Sequence, residues 1–172
     1  MNKVENIDAL DRKILALLMR NAKRPYTEIA QQLFVSGGTI HVRMNKLIEA
    51  GIVEGYTLRV NAQALGYDVT SFLGVYLEKS SYFADAVAGM RAIPEIVAAH
   101  YTTGLYSIFI KVICRDTRHL REVLQKIQTI EGIQRTETFI ALEENIERPI
   151  NLLTEEEAQD LAIDTGESKV VS

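Results

Sequence analysis

Residues 25–50, PYTEIAQQLFVSGGTIHVRMNKLIEA, decide how this chain is read. They form two short helical patterns around a tight turn. In the first, Ile29, Ala30 and Leu33 recur at helical spacing behind Pro25, whose fixed φ and missing N–H suit a first turn. In the second, Ser36 is an N-cap candidate, and Ile40, Met44, Leu47 and Ile48 make one apolar stripe. Opposite the stripe lie Gly38, Val42, Asn45 and Glu49, flanked by Thr39, His41, Arg43 and Lys46. Small, polar and cationic groups of this kind suit a DNA major groove, whose floor presents acceptors, donors and the thymine methyl. Arg43 is placed to read guanine or bind phosphate, Asn45 to read adenine and Val42 to touch a methyl. Gly37 and Gly38 would let backbone N–H groups approach a phosphate.

Upstream, residues 7–20 (IDALDRKILALLMR) carry Leu10, Ile14, Leu17 and Leu18 on one face, with Asp8 and Asp11 near the helix start. This supplies the third helix of a small bundle. Downstream, Ile52–Val60 is strand-like, and Asn61–Leu65 reads as a helical turn stopped by Gly66. Three helices and a β element make a winged helix-turn-helix.

From Tyr67 a second pattern begins: a strand at Val69–Leu77, a helix at Tyr82–Ala92 stopped before Pro94, and strands at Ile96–Thr103 and Tyr106–Cys114. Gly104-Leu105 between them suits a two-residue type II′ turn. A helix at Thr117–Gln128 and a strand at Gln134–Leu142 complete βαββαβ, a ferredoxin-like sandwich with helices on one face. The fold class is α+β. Apolar residues on both faces of these strands call for a second subunit over the open face, hence at least a dimer. The expected divisions are 1–51, helix-turn-helix; 52–66, wing or hinge; 67–148, ferredoxin-like; and 149–172, an acidic tail, where Thr154 caps Glu155-Glu156-Glu157 and the rest reads as solvated chain or an oligomer contact.

Charge is unevenly spread. Residues 1–60 hold nine Lys/Arg against six Asp/Glu, residues 61–150 nine against eleven, and residues 151–172 one against six. The first third can meet phosphate, best in two or more copies. No apolar run reaches the roughly 20 residues of a membrane span and no secretory signal opens the chain, so a cytoplasmic protein without membrane contact is expected. Cys114 is the single cysteine, leaving no cysteine-based metal site, and it reads as buried and inert. His41, His100 and His119 are scattered and no hydrolase, nucleotide-binding or zinc motif accompanies them, so no catalytic residues and no cofactor are expected.

The segments LDRKIL, NAKRPYTEIA, VSGGTIHVRMNKL, EAGIVEGY and ALGYDV, and then YTTGLYSIFIKVICR and KIQTIEGIQRTETFIAL, resemble the Lrp/AsnC (feast/famine) transcription regulators, the second group most closely their asparagine-responsive members. The likeness runs from about residue 6 to residue 148. It implies a DNA-binding domain joined by a β hinge to a ligand-sensing sandwich, dimers assembling into homo-octamers, double-stranded DNA as partner and an amino acid, here L-asparagine, as effector. Carried over by position, Tyr26 to Asn45 is the helix-turn-helix, so that Tyr26 and Thr27 join the DNA-facing residues. The effector hairpin falls on Tyr101, Thr102, Thr103, Gly104, Leu105, Tyr106 and Ser107, with Thr136 and Thr138 adjoining. Turn N–H groups can hold a carboxylate, while hydroxyls and carbonyls serve an ammonium and an amide. Many relatives have Asp where this chain has Ser107, a difference that would change the accepted effector. Phe34 stands where the family usually has Gly, and since Phe resists the left-handed conformation, an altered turn is expected. Gly37 stands where Pro is common. The competing reading is an architectural DNA-binding protein whose second domain only oligomerises.

Overall fold

The computed structural model describes residues 7–161, in two compact units: one comprises residues 7–58 and 145–161, the other Arg59–Glu144.

In the first unit, α1 (Ala9–Arg20) starts in a reciprocal capping box. The Asp11 N–H donates to Asp8 Oδ1 at 2.9 Å and the Asp8 N–H to Asp11 Oδ2 at 3.2 Å. α2 (Tyr26–Gln32) follows Pro25, and α3 (Gly37–Glu49) is capped by Ser36, whose hydroxyl accepts from the Thr39 N–H at 3.1 Å. The three apolar stripes meet in one core of Ile14, Leu17, Leu18, Ile29, Ile40, Met44 and Leu47. Ile48, expected in that stripe, is left half exposed.

The turn between α2 and α3 corrects the expectation for Phe34. Its φ is +54°, so the left-handed conformation is adopted without glycine. The Val35 N–H reaches the Ala30 carbonyl at 3.0 Å and closes the helix end in the ordinary way. The ring takes no part in packing, being 96% exposed.

Ile52–Val60 also differs: Ile52 and Val53 pack on the helical core, but the segment forms no strand, having no ladder partner within the described chain. The C-terminal segment is more ordered than a solvated tail up to Leu161. A short helix, α6 (Glu155–Asp160), opens in a capping box between Thr154 and Glu157. Its Ala158, with Leu153 and Leu161, packs against Ala16 and Leu33. Residues 162–172 of the expected tail lie outside the described residues.

In the second unit, a helical turn at Gln63–Leu65 ends at Gly66, with φ +81°. The elements that follow are β1 (Val69–Leu77), α4 (Phe83–Arg91), β2 (Ile96–Tyr101), β3 (Ile108–Cys114), α5 (Thr117–Gln128) and β4 (Ile133–Ile140). The sheet order is β2-β3-β1-β4 with every neighbouring pair antiparallel. Leu73, Val75, Ile108, Ile110 and Val112 point to one face and bury Ala86, Met90, Leu120, Val123 and Ile127 of the two helices. Burial raises the Cys114 thiol to about 11, which leaves it protonated and unreactive at neutral pH. Among the described residues no helix of this unit covers the opposite face. By register that face presents Phe72, Tyr76, Phe109, Lys111, Arg135, Glu137 and Phe139.

The β2–β3 connection is wider than a two-residue turn. The strands stop at Tyr101 and resume at Ile108, and the Thr102 N–H donates to the Ser107 carbonyl at 3.2 Å across the loop mouth. Among the described residues no helix is long and apolar enough to cross a membrane.

Candidate nucleic-acid interface and effector loop

The exposed side of α3 carries Gly38, His41, Val42, Asn45 and Lys46, with Thr39 half-buried beside its cap. Ser36 and Thr39 share a hydroxyl–hydroxyl bond of 2.9 Å, which fixes the helix start. A Cβ on Gly37 would meet nothing within 4 Å, and one on Gly38 only Ser36 Oγ at 3.7 Å, so crowding within the unit does not explain either glycine. Tyr26, at the start of α2 next to exposed Thr27, touches the His41 ring edge-on at 4.7 Å, and its hydroxyl lies 3.3 Å from that of Tyr56. Burial and the Tyr56 bond push the Tyr26 phenol up to about 12, so it stays a neutral hydroxyl beside the helix.

Arg43 has a role within the unit that its place on the outer side of α3 did not indicate. Its guanidinium is ion-paired with Asp8 and Asp11, reaching both Asp11 oxygens at 3.2 Å. The bond from the Asp11 N–H, followed by the pairing with Arg43, holds the Asp8 carboxyl below the usual carboxylate range. Arg43 therefore ties α3 to α1 through its Nη1, with the side chain still partly exposed. Spacing along α3 gave no sign of this, because both partners come from the α1 capping box.

In the loop of residues 102–107, Gly104 has φ +111°, a conformation that suits glycine. Thr102 Oγ1 donates to the Tyr106 carbonyl at 2.6 Å and the Ser107 N–H to the Val75 carbonyl at 2.9 Å. Thr103, Gly104 and Leu105 are exposed at the tip. Tyr101 lies on the helix side, its ring 4.5 Å from that of Phe83.

Tyr106 turns to the open sheet face and lies over Gly74, where an added Cβ would come within 2.3 Å of the ring. Its hydroxyl donates to Glu137 Oε2 at 2.8 Å, while Tyr76 reaches Glu137 Oε1 at 3.1 Å and Arg135 the same oxygen at 2.7 Å. Arg135 also stacks over the Tyr76 ring at 3.6 Å. The bonds from Tyr106, Tyr76 and Arg135 hold the Glu137 carboxyl below its usual range, and Glu137 in return raises the Tyr106 phenol. Sequence reasoning missed Glu137; its alternation with Arg135 on a strand was the available signal.

Thr136 pairs with Val75 and Thr138 with Leu73, so both side chains lie on the helix-covered face, opposite Tyr106. The Ser107 N–H bonds to the carbonyl of that same Val75, whose partner on β3 is Ile108, which puts Thr136 and the loop at the same end of the sheet. A single chain thus brings loop backbone and Thr136 near each other but not Tyr106 and the threonines onto one face. A separate cleft of about 690 Å³, lined by residues including Tyr67, Glu95, Val97, Arg115 and His119, contains none of the expected effector residues. Among the described residues no cluster of His, Cys, Asp or Glu can hold a metal ion.

Residues 7–54 match the winged helix-turn-helix DNA-binding profile, and residues 70–150 match the Lrp/AsnC ligand binding domain. Regulatory protein AsnC of Escherichia coli K12 is 50% identical over 145 residues, covering 84% of this chain and 95% of that protein. The solved structure of E. coli AsnC superposes with a TM-score of 0.82 at 48% identity, covering 85% of this chain and 99% of the other. A feast or famine regulatory protein from M. tuberculosis, solved in complex with L-methionine, matches with a TM-score of 0.77 at 26% identity over 83% of this chain and 96% of that one. Helix-turn-helix and open-faced sandwich therefore have one explanation: this chain belongs to the Lrp/AsnC family of transcriptional regulators, with a DNA-binding and a ligand-binding domain.

Proposed function

We propose that this regulator responds to L-asparagine and controls genes of amino-acid metabolism as a homodimer that assembles into a homo-octamer. Half-identity to E. coli AsnC across both domains is the observation that carries the effector assignment. On this reading the DNA-facing residues are Tyr26, Thr27, Ser36, Gly37, Gly38, Thr39, His41, Val42, Asn45 and Lys46, with Arg43 as their support. The loop from Tyr101 to Ser107 receives the effector carboxylate on its N–H groups, while Thr136 and Thr138 supply hydroxyls. The uncovered aromatic face, where Phe72 stacks on Phe109 at 6.0 Å and Tyr106 meets Phe139 at 6.4 Å, supports a second subunit as its cover.

The neutral Ser107 is the residue that separates asparagine from cationic effectors, and its replacement tests the site. Calorimetry should show L-asparagine binding to the wild type and at least tenfold weaker binding to Ser107→Asp, since an added carboxylate beside the ligand carboxylate is unfavourable. Equal binding by both removes the loop from the site. No binding of any small amino acid by a large assembly favours the architectural reading.

A further inference from the structure

We infer that Asn151–Leu161 is an acidic strap that holds down the DNA affinity of the unit on which it is seated. The strap lies beyond residue 150, where the ligand-binding match ends. Leu153, Ala158 and Leu161 bury against Ala16 of α1 and Leu33, which follows the end of α2. Two polar contacts fix it: Arg12 Nη2 donates to Glu157 Oε1 at 2.7 Å, and Gln32 Nε2 to the Leu161 carbonyl at 3.1 Å.

Seating reverses the charge of the unit. Residues 7–58 hold seven Lys/Arg against five Asp/Glu, whereas residues 145–161 hold one Arg against five Asp/Glu, which takes the unit from +2 to −2. Glu155, Glu156 and Asp160 are exposed on the strap. Leu33 beneath it is three residues before Ser36, the cap of α3. Three residues span at most about 11 Å, close to the screening length of roughly 8–10 Å in 0.1–0.15 M salt. Part of the strap's seat therefore lies within about one screening length of the start of α3, and the strap's carboxylates add repulsion against phosphates approaching that unit, weakly at physiological salt and more strongly below it.

This inference rests on the DNA-binding reading, and the test separates the two. Full-length wild type is compared with E155Q/E156Q/D160N and with E78Q/E131Q/E143Q, which makes the same charge change in the other unit. The readout is fluorescence anisotropy on a random-sequence 30-base-pair duplex from 50 to 300 mM NaCl, with melting curves to verify folding. The strap variant should bind about threefold or more tighter than wild type at 50 mM, with the gain shrinking at 300 mM and the control changing less. No gain from the strap variant, or an equal gain from the control, overturns the strap. Failure of all three proteins to bind the duplex rejects the DNA-binding reading and the strap with it.

Discussion

Arg43, on the helix expected to enter the groove, donates to both carboxylate oxygens of Asp11 at 3.2 Å, and Asp11 is only 3% exposed. Removing Arg43 leaves a buried carboxylate without its cation. Arg43→Ala should lower unfolding stability by about 2–3 kcal/mol, somewhat below the usual cost of breaking a buried pair because Arg43 retains solvent contact. Urea denaturation measures this directly. Unchanged stability with lost DNA affinity would return Arg43 to the groove.

Phe34 holds φ +54° with its ring 96% exposed, so it carries backbone strain without compensating burial. Phe34→Gly should raise stability by about 0.5–1 kcal/mol, the left-handed penalty less the added freedom of the unfolded chain. Thermal melting should rise by a few degrees; a fall would show that the ring contributes something the fold does not reveal.

Two glycines should respond in opposite directions. Gly37→Ala meets open space and should gain up to about 1 kcal/mol in helix stability while weakening DNA binding if the backbone approaches a phosphate. Gly74→Ala would drive a methyl into the Tyr106 ring, whose near atoms lie 2.3–2.6 Å away, and should cost about 1–3 kcal/mol. Denaturation and duplex binding of both variants check the pair.

Acid should weaken both units. The carboxyls of Asp8 and Glu137 ionise more readily in the folded chain than is usual, so their contributions are complete above the ordinary carboxylate range and vanish as pH falls through their folded values. Urea midpoints at pH 7, 5, 4 and 3 should decline most at the acidic end, and Glu137→Gln should flatten part of that decline. An identical pH profile for the variant contradicts the assignment to Glu137.

The helices were legible because their apolar residues repeat at helical spacing: Ile40, Met44 and Leu47 of α3, and Leu120, Val123 and Ile127 of α5, are all buried where periodicity put them. What escaped depends on residues distant in sequence. Arg43 is claimed by carboxylates 32 and 35 positions earlier, and Tyr106 by Glu137, 31 positions later. The hairpin read as a tight turn because Gly104 fits one; Tyr106 turning onto the open sheet face accompanies a wider loop than Gly104 alone suggests. The C-terminal segment looked solvated from its charge, although Leu153, Ala158 and Leu161 give it an apolar side that finds Leu33.

The most direct test of an asparagine-responsive regulator is the affinity of the full-length protein for a duplex it has itself selected from a random pool, measured across increasing L-asparagine with L-leucine as comparison. If asparagine binds unequally to the DNA-competent and DNA-free states, affinity should shift by about fivefold or more and then saturate, with leucine without effect. An affinity that stays constant through saturating asparagine would contradict the account.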